Sequence, residues 1–104
     1  MWILQTTERS EAGPFVFRLM PGAVKTIGRS TTADFILDAA MVSRFHCRVT
    51  AGADGVIDVQ DLQSTNGTFV NDMRVQRGTL AIGDRLRVGR VELELADGRV
   101  RRPE

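Results

Sequence analysis

Turn signals recur so often along this chain that its apolar residues have room only for short, alternating runs. Gly13-Pro14, Pro21-Gly22, Asp54-Gly55, Asn71-Asp72, Gly89-Arg90 and Asp97-Gly98 punctuate it. Between them the side chains fall into a period of two, which sends alternate residues to opposite faces of a strand. Val91, Leu93 and Leu95 against Glu92 and Glu94 are the clearest case. Residues 1–6, 15–19, 23–27, 35–37, 47–50, 56–59, 69–70, 74–75 and 85–88 read as further strands. Residues 78–84 read as a loop with buried Leu80 and Ile82, and residues 39–45 as an extended loop or a single turn. About ten short strands with no convincing helix argue an all-β, antiparallel β-sandwich, with a small barrel as the alternative.

Ser64-Thr65-Asn66-Gly67-Thr68-Phe69 predicts a tight hairpin turn. Asn and Gly tolerate positive φ, and the apolar pair Phe69-Val70 follows them directly. The same stretch crowds hydroxyl and amide groups together, which also suits it to holding a peptide backbone.

At 104 residues there is room for one domain and one core. The net charge of +1, from 14 basic and 13 acidic residues, is too balanced for a general nucleic-acid or membrane binder. No apolar run approaches the ~18 residues of a membrane span, and residues 1–5 lack the pattern of a secretory signal. Cys47 is the only cysteine and His46 the only histidine, so there is no internal disulfide and little scope for a metal site. No metal or cofactor is expected. The default setting is a reducing cytoplasm, or a nucleus in a eukaryote.

Lys25 is the only lysine, and the remaining basic residues are arginines, which form bidentate bonds to phosphates and carboxylates. Arg85, Arg87, Arg90, Arg99, Arg101 and Arg102 read as a solvated sheet face paired with Glu92 and Glu94. The aromatics sit mostly at core positions and make no stacking platform, so nucleic-acid binding lacks support.

Two further stretches carry chemistry. In Gly28-Arg29-Ser30, glycine admits a ligand close to the backbone and arginine offers a planar donor fork, as a phosphate site requires. A nucleotide P-loop is excluded, because Arg29 stands where lysine is needed and no helix follows. In Ser43-Arg44-Phe45-His46, a hydrolase reading would pair Ser43 with His46. Nothing around them suggests an oxyanion hole or a nucleophile elbow. The reading adopted is a buried His46 that orients neighbouring loops through both ring nitrogens, with Ser43 and Arg44 free to donate to an anion.

Taken together, these three stretches, with Phe69-Val70-Asn71 and Leu80 to Asp84 behind them, resemble the forkhead-associated (FHA) domain. The resemblance covers residues 1–97, and 98–104 then read as a flexible tail or the start of a linker. It implies a sandwich of about eleven strands whose loops at one end bind phosphothreonine peptides. It implies that Arg29 binds phosphate, that Ser43 donates to a phosphate oxygen and that Arg44 contacts phosphate or peptide backbone. Thr65 becomes a further pocket residue and Asn66 the residue that holds the peptide main chain. Gly28, His46 and Gly67 become scaffold positions. Phe45 stands where a polar residue is commoner.

The expected partner is a phosphothreonine-containing protein, such as a Ser/Thr kinase substrate, bound without catalysis. Thr6-Thr7-Glu8 could supply such a segment from the chain itself. The alternative is a scaffold or oligomerisation domain that ignores phosphate.

Overall fold

A computed structural model describes residues 1–98; the expected tail at 99–104 lies outside the described residues. Eleven strands follow in order: β1 (Trp2–Thr6), β2 (Val16–Leu19), β3 (Val24–Gly28), β4 (Phe35–Ile36), β5 (Cys47–Ala51), β6 (Ile57–Asp61), β7 (Thr68–Val70), β8 (Met73–Val75), β9 (Arg77–Leu80), β10 (Arg85–Val88) and β11 (Val91–Asp97). They form a six-stranded sheet, β2-β1-β11-β10-β7-β8, facing a five-stranded sheet, β4-β3-β5-β6-β9. The sandwich expected from the alternation is therefore present, and there is no closed barrel. One pair departs from the antiparallel rule: β3 and β4 run parallel.

The core lies between the sheets and is made largely by alternate residues of the longer strands. Leu4, Leu86, Leu93, Val88 and Val91 face it from one side, and Ile27, Cys47, Val49, Ile57 and Val59 from the other, all fully buried. Each leucine or valine so buried contributes roughly 1.5–3 kcal/mol. Phe17 stacks on Phe35 at 4.8 Å and closes one flank of the core.

Three sequence expectations are corrected. Ser64–Phe69 is not a hairpin: β6 belongs to one sheet and β7 to the other, so this loop crosses between layers. The hairpin of this region is at Asn71-Asp72, where both residues have positive φ, 48° and 70°. Residues 78–84 are not all loop, because β9 pairs with β6 through Leu80. Leu80 is buried there, but Ile82 is 56% exposed at the bend that follows.

Candidate functional site

β3, β5 and β6 lie side by side, and the end of β3, the start of β5 and the end of β6 coincide in register: Ile27 with Cys47, and Cys47 with Asp61. The segments leaving these ends, 29–34, 37–46 and 62–67, therefore meet at one end of the sandwich. Gly28 makes the closest approach possible. A Cβ at this position would run into the carbonyl of Arg44, so only glycine lets the second segment cross the end of β3. Arg29 N donates to Ser43 O at 3.0 Å and Ser30 N to Arg44 O at 3.1 Å, tying the first two segments together.

His46 ties the second to the third. It is fully buried. Its Nδ1 accepts from Ser43 N at 3.0 Å, and its Nε2 donates to Gly67 O at 2.8 Å. Burial lowers its pKa, outweighing the bond to Gly67 and the nearby Asp61 carboxylate, so the ring is held neutral in the Nε2–H form that both bonds need. This arrangement also disposes of a Ser43–His46 catalytic pair. The imidazole engages the Ser43 backbone, while Ser43 Oγ accepts from Thr65 N at 3.1 Å.

The third segment is shaped by Asp61, which sequence reasoning did not single out. Its Oδ1 accepts from Ser64 Oγ at 2.5 Å and from Thr68 Oγ1 at 2.7 Å, and its Oδ2 from Ser64 N at 3.1 Å. Ser64 Oγ in turn accepts from Gly67 N at 2.9 Å. Burial alone would raise the Asp61 pKa, but these hydrogen bonds and nearby His46 bring it below the usual carboxylate value. The available signal was the Asp-x-x-Ser spacing, a common side-chain-to-backbone turn. Cys47, fully buried beside Asp61, has its thiol pushed up to about 12 and is chemically inert.

All eight residues singled out from the sequence are gathered here. Arg29, Arg44 and Thr65 are exposed, and Ser43 and Asn66 half-buried, while Gly28, His46 and Gly67 lie buried beneath them. Arg29 Nε donates to Val42 O at 3.0 Å, which fixes the guanidinium and leaves its two terminal nitrogens without a partner among the described residues. Ser43 Oγ accepts one bond, from Thr65 N, and its proton is free to donate. Asn66 Nδ2 donates to Met41 O at 3.0 Å, bracing the first part of the second segment and leaving Oδ1 unengaged among the described residues. A fixed arginine fork, a hydroxyl proton and an amide oxygen together suit an oxyanion carried on a peptide. Thr7 lies elsewhere, half-buried, with its hydroxyl donating to Glu92 Oε1 at 2.6 Å.

The FHA domain family model matches residues 25–89. The chain is 37% identical over 92 residues to the ABC transporter ATP-binding/permease protein Rv1747 of Mycobacterium tuberculosis, covering 88% of this chain and 10% of that protein. It is similar to the FhaA FHA domain solved in complex with the intracellular domain of Rv3910, with 36% identity, a TM-score of 0.78, and coverage of 91% and 99%. It is also similar to a domain solved in a structural and functional study of phosphothreonine-dependent FHA domain interactions, with 33% identity, a TM-score of 0.80, and coverage of 95% and 98%. Against the next curated relatives the chain spans about half their length, 55% and 49% for two of them.

Proposed function

The chain belongs to the FHA domain family, and from that premise we propose that it is a non-catalytic module binding phosphothreonine segments of a partner, or of its own protein, in kinase signalling. The observation that carries this reading is the convergence of Arg29, Ser43 and Asn66 on one rigid end of the sandwich. A phosphothreonine brings about −1.5 to −2 charges and three acceptor oxygens. Arg29 supplies the charge-assisted donors and the Ser43 hydroxyl a further one. Arg44 and Thr65 line the rim, and Asn66 presents its amide to the peptide main chain. The relative studied for phosphothreonine-dependent interactions supports the reading, since its similarity extends over 95% of this chain.

The test is a titration of a phosphothreonine peptide library and its unphosphorylated twin, with wild type and Arg29→Ala. Charge-assisted bonds contribute about 1.5–3 kcal/mol, so Arg29→Ala should weaken phosphopeptide binding by at least tenfold, while the loss of its bond to Val42 O lowers stability by only about 0.5–1.5 kcal/mol and leaves the protein folded. Equal binding of both peptides by both proteins would sink the reading. Pull-downs that survive phosphatase treatment would point instead to a phosphate-independent scaffold.

A further inference from the structure

One row of cross-strand partners on the outer face of the six-stranded sheet runs Arg74 on β8, Phe69 on β7, Arg87 on β10 and Glu92 on β11. Residues directly opposed in antiparallel strands share a face, so these four stand side by side. The Glu92 carboxylate is already engaged. Its Oε1 accepts from Thr7, while Oε2 lies 3.8 Å from Arg9 and 3.7 Å from Arg85. Arg87 turns away from it and stacks its guanidinium over Phe69, 4.0 Å from the ring centroid. Arg74, on the far side of Phe69, is exposed and lies along Gly67, where a Cβ would stand 2.8 Å from its Nε.

Arg9, Arg85 and Arg90 each have a carboxylate partner. Among the described residues Arg74 and Arg87 have none. Two positively charged groups thus flank one half-buried ring without a counter-charge, and one of them touches the turn that carries Asn66.

We propose that Arg74 and Arg87 form a cationic strip that takes acidic residues flanking the phosphothreonine of the bound segment. This rests on the phosphothreonine reading of the loops and extends the contact surface from the Asn66-Gly67 turn onto the sheet face. The ring of Phe69 holds the Arg87 guanidinium in place, so little of that side chain's freedom is lost when a carboxylate arrives, while Arg74 lies beside Gly67 with its guanidinium open to solvent. Acidic peptide is favoured over nucleic acid because Arg87 covers the face of Phe69. That removes the stacking platform a base would use.

The test is fluorescence anisotropy with four phosphothreonine peptides: glutamates before the phosphothreonine, glutamates after it, lysines on both sides, and alanines throughout, each with an unphosphorylated twin. One acid-flanked peptide should bind about three- to fivefold tighter than the alanine peptide at low salt, the size of an exposed ion pair. The margin should shrink as salt rises. Arg74→Gln should collapse it, and Arg74→Glu with Arg87→Glu should reverse it in favour of a lysine-flanked phosphopeptide. Thermal melts of both variants establish that they are folded.

A margin absent on both sides, or unchanged in folded Arg74→Gln, overturns the strip while leaving phosphate-dependent binding intact. A single-stranded oligonucleotide bound as tightly, with the same dependence on Arg74, overturns it in favour of nucleic acid. Loss of phosphate discrimination in wild type is read from the twins alone; it overturns the loop reading and the strip with it.

Discussion

At the scale of single residues, a neutral imidazole at His46 joins two loops, and a proton on Nδ1 would delete its bond from Ser43 N–H. The unfolded chain takes up that proton near pH 6.5, whereas the folded ring, lowered by burial, resists it. Below that point the unfolded state binds more protons, so stability is full above about pH 6.5 and is lost as pH falls through the window beneath it. Asp61 acts in the same direction lower down, its contribution being lost below 3.8. Melting temperatures should therefore fall as pH drops below about 6.5, with a shallower slope in His46→Gln. Asp61→Asn keeps the shape but puts an amide donor in place of one carboxylate oxygen, facing either Ser64 N–H or the hydroxyl protons of Ser64 and Thr68. It should cost about 1–3 kcal/mol in urea denaturation. The eight candidate residues were legible as a group only through the spacing of three loop stretches that resemble one family, and the structure gathers those stretches at one end of the sandwich. Asp61 was not, because an aspartate before a loop looks like any solvated carboxylate until the chain folds back on it.

At the scale of elements, the alternating runs announced the strands, and Asp54-Gly55 and Gly89-Arg90 announced their hairpins. Asn66-Gly67 misled because a dipeptide signal reports a local reversal and positive φ, not the sheet the chain enters next. Only Gly67 takes positive φ there, at 92°, whereas Asn71-Asp72 makes the true hairpin. β9 was missed because Arg77-Gly78-Thr79 has one apolar neighbour, Leu80, and an edge strand needs no more. Gly67→Ala should cost about 1–2 kcal/mol from the left-handed backbone alone. The added methyl also displaces Arg74, so phosphopeptide affinity should fall beyond what the lost stability explains, measured by titration below the melting transition.

At the scale of the molecule, the binding loops depend on strands far from them in the chain. The matched segment 25–89 omits β1, β2 and β11, half of the six-stranded sheet. It also loses Leu4, Leu19, Val91, Leu93 and Leu95, all buried. At roughly 1.5–3 kcal/mol each, their absence costs about as much as the whole usual margin of stability. A 25–89 fragment should show no cooperative melt by circular dichroism, though it holds every proposed ligand-binding residue. β1 also pairs along its whole length with the second part of β11, from Trp2 with Asp97 to Thr6 with Leu93, and Gly98 N donates to Met1 O at 3.0 Å. The opposite end of β11 begins at Val91, beside Gly89, which packs against the Met41 carbonyl of the loop end. Met1 and Gly98 thus lie together, at the end of β11 remote from the binding loops. An attachment made at that corner leaves the reading surface unobstructed, so a tethered partner segment meets the loops at an effective concentration set by the tether alone.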